Sequence, residues 1–580
     1  MLLVGKPRKR HSGDGWGAIW WYDLLVARMQ AAGPTFIKVK HPPISILCSL
    51  PIHIHESSLR QLAQWAASRA DLFPSALCER MGALHSRGKS HSFKHTKKVI
   101  ERVFQRPFDQ VFEYFDETPI GTGAIAQVYR AVLKQDLIPP SYLGPRRHRK
   151  SPAAAISPVI LDHPPPSIPT AAVAIKVIHP RVQKTIARDL SIMSFFAHFI
   201  ALFPGMQWLS LPEEVDVFGG MMFQQLDLRH EADNLLTFEH NFASRKVPVK
   251  FPRPLKEFST KDLLIEEYEN ALPLENFLKY GGGPFDQQIA TVGLNAFLNM
   301  LLLDNFVHSD LHPGNIMIKF SKPPSTSYLL NNLWLTIKHS FTSSSESDSP
   351  AFIPPPDYSE SDSIVQRLQK LPCEDTKAWE DELGSLHSAG YIPELIFIDA
   401  GLVTTLSSTN RTNFLDLFKS LAEFDGYRTG QLMIERCRTP ELATDPETFA
   451  LKMQHLVLSV KRKTFSLGQI RISDILRQVL LAVRQHHVKM EGDFINTVIS
   501  VLLLEGIGRQ LDPELDLFKS ALPILRQLGG QMAKKEQMKD FQTLPKSNLG
   551  ALLKVWVWAE ARSFISASIV NADELIRYDW

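Results

Sequence analysis

The sequence predicts an α+β protein with two lobes. Two observations carry that reading. Short β-branched runs gather in the first half of the chain, and from Leu402 onward the apolar spacing is almost entirely helical. A third observation bears on size. The 39 prolines outnumber the 30 glycines and are clumped, so part of the 580-residue length is insertion rather than further domains.

The elements follow in chain order. Residues 1–11 carry Lys6, Arg8, Lys9 and Arg10 without an acid. They lack the apolar core of a secretory signal and read as a solvated basic tail, with a remnant of a basic import sequence as the alternative. Gly121-Thr-Gly123 is a turn leading into a strand, because Val128, Tyr129 and Val132 favour extended backbone. Ala172–Ile178 is β-branched, bounded by prolines, and reads as a strand. The apolar stretch 190–203 is too short to span a membrane and is expected to be a buried helix. Residues 213–239, opened by Pro212 and two acids, read as one helix with the stripe Val215, Phe218, Met222 and Leu226. Residues 263–268 and 395–398 are further short strands. The final stretch 549–570 is interrupted by Lys554, Glu560 and Arg562 and reads as an amphipathic docking helix suited to a lipid surface.

Three segments read as insertions. Residues 139–170 hold nine prolines and the basic cluster Arg146 to Lys150, which predicts an extended loop. The second runs from about 321 to 390; its centre, 342–363, is 12 Ser or Pro in 22 residues and predicts disorder. The third is 39–61. Composition excludes several classes: 44% hydrophobic and 22% charged residues are ordinary globular values, and a net charge of +3 makes no case for nucleic acid. The four cysteines, Cys48, Cys78, Cys373 and Cys437, form no CxxC pair and fit reduced thiols.

The chemistry-bearing residues are spread along this frame. Glycines at Gly121 and Gly123 let a backbone approach phosphate oxygens; a plain hairpin turn or a dinucleotide-binding loop are the other readings of that turn alone. Lys176 sits inside an apolar strand, where a lysine is costly without an anion, unless its face is on the surface. Asp227 and Glu231 stand four apart on the expected helix, hence on one face, and call for cations nearby. His308-Ser-Asp310-Leu-His312-Pro-Gly-Asn315 matches the kinase catalytic-loop template H-R-D-L-x-x-x-N. There Asp310 orients or deprotonates the attacking hydroxyl and Asn315 holds magnesium. Asp399-Ala400-Gly401 stands at a strand end where kinases carry D-F-G, with Asp399 as a second magnesium ligand. Taken together, glycine loop, strand lysine, helix carboxylate and the two acidic motifs follow the order of a protein-kinase-like fold.

These residues resemble the UbiB/AarF-domain atypical kinase family. The wording H-x-D-x-H-P-G-N at 308–315 is that family's, as are residues 119–131, 173–180 and 505–513, and the likeness runs from about Gly33 to Leu528. The resemblance implies ATP as ligand, with Gly121, Gly123, Ala126, Val128, Lys176, Glu231 and Glu267 around it, and magnesium on Asn315 and Asp399. Glu266 to Tyr268 become the hinge whose backbone reaches adenine. It also implies a mitochondrial location and a role in coenzyme Q (ubiquinone) biosynthesis or lipid homeostasis, with a lipid- or quinone-related small molecule and peripheral membrane contact. The expected activity is that of an atypical kinase or ATPase; a nucleotide-binding scaffold and a protein Ser/Thr kinase are the alternatives.

The family's K-x-G-Q helix, which hinders protein substrates, begins here at Lys38 and resumes at Gln64 only after 23 residues, 39–61. Valine codons begin GT and one glutamine codon is CAG, the usual ends of an intron, so the segment is expected to be a retained intron; a genuine loop insertion is the alternative. The family's E-x-D becomes Gln225-Leu-Asp227, which assigns Glu231 to Lys176 and Asp227 to the Lys38 region. The expected division is a helical extension over 1–118, one lobe over 119–270, a second over 271–430, and a helical region over 431–580.

Overall fold

The computed structural model describes residues 90–139, 142, 172–202, 210–243, 245, 247–322, 359–371, 376–407, 409–411, 413, 420, 425–465, 472–515 and 524. Lys38, Gln64, the 39–61 segment and the 549–570 helix lie outside these residues, as does all of 139–170 except Pro139 and Tyr142.

Helix α1 (Phe93–Phe104) buries Thr96, Val99, Ile100 and Phe104, a stripe at helical spacing. It lies on an antiparallel sheet of β1 (Phe112–Phe115), β2 (Gly121–Thr122), β3 (Ala126–Leu133), β4 (Ala172–Ile178) and, further along the chain, the strand Leu263–Glu267. Alternation decides the sheet's two faces. Val173, Ile175 and Val177 of β4 join the core under α1. Ala174, Lys176 and Ile178 face the other way.

That second face is covered by α2 (Val182–Ala201), α3 (Leu211–Gln225) and α4 (Leu228–Phe242), with Ile186, Leu190, Phe218, Met222, Leu226 and Leu228 packed beneath it. The stripe expected from the sequence is the one that packs. The single helix expected over 213–239 is a correction, however: the chain breaks at Leu226 and Asp227. Asp227 is extended, and its carboxylate accepts the Arg229 N–H, capping α4. Asp227 and Glu231 therefore do not share one helix face; the first is a cap and the second lies in the first turn. The stretch 190–203 is also only half as predicted. Leu190, Met193 and Ala197 are buried, while Phe195, Phe199 and Leu202 are exposed.

After β5 (Val249–Lys250), β6 (Leu263–Glu267) completes the first sheet and β7 (Leu272–Pro273) enters a second. Helices α5 (Leu274–Tyr280) and α6 (Asp286–Leu298) follow, the latter extended by a π-helical turn, Asn299–Asp304. Strands β8 (Val307–His308) and β9 (Ile316–Ser321) flank the H-x-D loop. Then come α7 (Ser359–Lys370), α8 (Thr376–Ser388), β10 (Ile392–Phe397) and β11 (Val403–Thr404). The second sheet runs β5-β10-β9-β7, with β10 parallel to β5 and antiparallel to β9. Strands β8 and β11 form a two-stranded ladder, His308 opposite Val403.

The disordered insertion expected over 321–390 is corrected in its second half. Ile364, Val365 and Leu368 of α7 and Trp379, Leu383 and Leu386 of α8 are buried in the largest core, and Ser361 Oγ donates to the Phe320 carbonyl at 2.7 Å. The Ser/Pro count hid these apolar triplets because helical spacing, not average composition, decides burial. Beyond β11 the described elements are helical: α9 (Gly426–Glu435), α10 (Pro446–Phe465), α11 (Ile472–Gln485) and α12 (Gly492–Leu511), with a core of Leu432, Phe449, Val483 and Ile495. Among the described residues no helix is long and apolar enough to cross a membrane.

Candidate functional site

Lys176 is the centre of the site. Its Nζ donates to both Glu231 oxygens at 2.8 and 2.9 Å and to Asp399 Oδ1 at 2.9 Å. Three separate elements meet here: β4 supplies the lysine, the first turn of α4 supplies Glu231, and the turn after β10 supplies Asp399. Burial acts to lower the Lys176 pKa, but the Asp399 and Glu231 carboxylates outweigh it and hold the ammonium charged. Glu231 is pushed up to about 7 by burial, which Lys176 offsets only in part. Burial also opposes ionisation of Asp399, yet Lys176 brings it down to about 2. Asp399 has a left-handed φ of 59°, uncommon for a residue with a side chain, and its side chain is 44% exposed. A strained, ionised, accessible carboxylate beside a charged lysine is suited to a cation-bearing ligand.

The H-x-D loop forms the neighbouring wall. Asn315 Nδ2 donates to the Asp310 carbonyl at 3.0 Å and to Asp310 Oδ2 at 3.3 Å, which turns the amide oxygen away from Asp310. Ile398 N donates to the Asn315 carbonyl at 3.0 Å, so the loops carrying Asn315 and Asp399 are tied together. His308 is fully buried, its pKa is lowered by that burial, and its Nδ1 accepts the Asp310 N–H at 3.3 Å. The neutral ring thus holds the loop's backbone. Asp310 itself is half-buried, with His312 Nε2 at 3.9 Å.

The glycine loop closes the other side of Lys176. Gly121 pairs with Val128, and Val128 pairs with Lys176 across β3 and β4. Gly123 N donates to the Ala126 carbonyl at 2.9 Å. A Cβ built on Gly121 would meet nothing within 4 Å, so the fold itself leaves that space open. The loop is held by residues the sequence reading missed. His179 Nε2 donates to the Gly123 carbonyl at 3.1 Å. That fixes its Nδ1 as the acceptor from His91 Nδ1 at 2.7 Å, and His91 Nε2 in turn accepts from Thr96 Oγ1 at 3.0 Å. Burial, with His179 and His95 nearby, lowers His91 to about 4, so the His91 ring is uncharged. The word V-I-H-P was visible in the sequence; its use as a loop clip was not.

Two further acids sort by face. Glu267 points away from the Lys176 face, and its carboxylate pairs with buried Lys250 at 3.2 Å. Its N–H donates to the Arg253 carbonyl and that of Tyr268 to Ala172, so what Glu267 offers a ligand is its carbonyl. Glu266, given only a backbone role in the expected hinge, has its side chain on the Lys176 face. Burial and then Glu231 push its carboxyl up to about 8. Asp227 does not join the site: Arg229 binds it through Nε at 2.9 Å and NH2 at 2.6 Å and keeps its pKa low.

The donor set fits magnesium. Asp399 and Asn315 bring one carboxylate and one amide oxygen, and among the described residues no three His, Cys, Asp or Glu side chains gather into an all-protein metal cage. Magnesium characteristically takes one or two protein oxygens and completes its shell with water and phosphate.

A strand lysine held by a helix carboxylate, an H-x-D-x-x-x-x-N loop and a D-x-G aspartate define an atypical kinase-like domain. Comparison with known proteins agrees. The model of the ABC1 atypical kinase-like domain matches residues 83–137 and 168–332, breaking across the proline-rich segment, and that of the UbiB helical domain matches 463–516. A mitochondrial ABC1 family protein of Saccharomyces cerevisiae is 40% identical over 97% of this chain and 75% of its own. Its counterpart in Schizosaccharomyces pombe is 39% identical over 94% and 69%. A probable protein kinase UbiB of a Shewanella species is 23% identical over 92% and 74%. The chain belongs to the ABC1/UbiB atypical kinase-like family.

Proposed function

We propose that this protein is a magnesium-dependent, ATP-using atypical kinase or ATPase of mitochondria that supports ubiquinone biosynthesis or lipid homeostasis. The observation that carries the reading is the placement of Lys176 between Glu231 and Asp399. In this reading the two sheets, each with its own core, belong to two kinase-like lobes. Lys176 takes the α- and β-phosphates, and Glu231 keeps the lysine aimed. The open space at Gly121 leaves phosphate oxygens room to approach the loop's backbone. Asp399 and the Asn315 amide oxygen hold the metal, which when bound neutralises charge on the phosphates. Asp310, half-buried and ordered by Asn315 and His308, orients the attacking hydroxyl of water or a small lipid- or quinone-related acceptor. The mitochondrial relatives support the location, and the UbiB relatives support the link to ubiquinone.

Turnover separates this reading from a nucleotide-binding scaffold. Purified full-length protein is assayed for ATP binding and for magnesium-dependent hydrolysis, beside Asp310→Asn. The enzymatic reading requires the variant to keep binding and lose about 100-fold or more in rate. Equal rates in the two proteins leave only the scaffold.

A further inference from the structure

We propose that Glu266 reads the base of the nucleotide: its unpaired carboxyl oxygen accepts a hydrogen bond from the exocyclic amine of a 6-aminopurine. The inference rests on the nucleotide reading above and adds the recognition that the motifs leave open.

The register of the first sheet places the residue. In the β4–β6 ladder Glu266 stands opposite Ala174, and Leu264 stands opposite Lys176. Opposed residues share a face, as do residues two apart along a strand. Ala174, Lys176, Leu264 and Glu266 therefore lie on one face, joined by Val128 from β3. Lys176 marks the phosphate end of this surface. Ala172, whose carbonyl accepts from Tyr268 N, marks the hinge end. Ala174 lies between them, about 7 Å from Lys176 along the strand. Its side chain is a single methyl, the smallest on this face, with Glu266 alongside.

Glu266 is 7% exposed, and its Oε2 has no hydrogen-bond partner. The other residues of β6 up to that point, Leu263, Leu264 and Ile265, are apolar and fully buried. An apolar side chain at 266 would pack there without the cost of a buried, unsatisfied oxygen. Lys176, on the same face, makes its hydrogen bonds to Glu231 and Asp399 instead. A carboxylate cage for a metal is not formed among the described residues. What the oxygen lacks is an N–H donor from a ligand. A carboxyl keeps an acceptor oxygen for that donor with or without its own proton.

The test is competition binding to the full-length protein in magnesium, comparing ATP with purine riboside triphosphate, which carries hydrogen in place of the amine. Wild type should prefer ATP by about tenfold or more, the worth of one hydrogen bond to a buried carboxyl. Glu266→Met should lose the preference by weakening ATP alone. Glu266→Gln, which retains a carbonyl acceptor, should keep most of it. Equal wild-type affinity for the two nucleotides overturns the proposal, a result that needs no variant to fold. A folded Glu266→Met protein that still prefers ATP overturns it equally. Wild type that binds neither nucleotide brings down the nucleotide reading as well, so the two failures are distinct.

Discussion

Among the described lysines that stand between two carboxylates, two from the sheets invite comparison, and they differ in one respect. Lys176 lies between Glu231 and Asp399; Lys250, from β5, lies between Glu267 and Glu269. Around Lys250 everything is closed, with Glu269 only 4% exposed. Around Lys176 one partner is open: Asp399 is 44% exposed and sits in a left-handed turn rather than in a strand. A closed triad has nothing to exchange its lysine for and serves the fold. An open one can trade a carboxylate contact for a phosphate without breaking the core. Charge clustering by itself therefore does not mark a site, nor does exposure alone, since Glu213 beside Lys489 is also exposed; exposure joined to a strained backbone in the same residue does.

The largest expected effect lies in the closed triad. Lys250→Met leaves two carboxylates buried without their cation and should cost about 3–5 kcal/mol in a urea melt. A loss no greater than that of Lys176→Met would erase the contrast. Next comes the open triad. Asp399→Asn should lower magnesium-ATP turnover by about 10²- to 10³-fold. Asparagine tolerates the left-handed φ as well as aspartate does. The variant should therefore melt closer to wild type than Lys250→Met does. If it melts equally early, both triads are structural.

Glu266 sharpens the comparison from a third side, as a buried acid on the Lys176 face with no cation of its own. Glu266→Met should raise stability by about 1–3 kcal/mol, the cost of an unsatisfied buried group. The pH dependence fixes the sign. The carboxyl goes from an ordinary value of 4.5 to about 8 on folding. Between those values the folded state binds the extra proton, so wild-type stability falls as pH rises. The advantage of the variant should grow from pH 5 to pH 8 and level off above that. Urea melts at the two pH values measure it, and a constant difference would place the acid outside the strained cluster.

The site was legible where sequence spacing and geometry coincide. Asp310 and Asn315 are five apart in one loop, and the sequence reading pairs them as the structure does. Lys176 and Asp399 are 223 residues apart and were joined only through motif order. Glu266 and Glu267 show where legibility ends. Adjacent strand residues face opposite ways, and which face is the site depends on how β6 registers against β4, information no single strand holds. The helix break at Leu226 escaped for a related reason. Phe218, Met222 and Leu226 continue in phase up to the break and Leu228 is buried just past it, so the apolar pattern gives no sign of interruption.

That break yields the smallest and most diagnostic prediction. The sequence assigns Asp227 to the Lys38 region, which lies outside the described residues; within them Asp227 caps α4 and takes both the N–H and the guanidinium of Arg229. Four residues further on, Glu231 holds Lys176, so the cap fixes the turn that positions the site. Asp227→Ala should cost about 1 kcal/mol. It should also weaken ATP binding modestly by loosening that first turn. Asp227→Asn keeps a capping oxygen and should restore both, because asparagine caps as well as aspartate. A charge-dependent partner in the Lys38 region behaves differently: there asparagine fails like alanine, and the melt barely moves while turnover changes. Melting and ATP binding measured on the two variants together separate the cap from the partner, since only a cap lets asparagine stand in for aspartate in both.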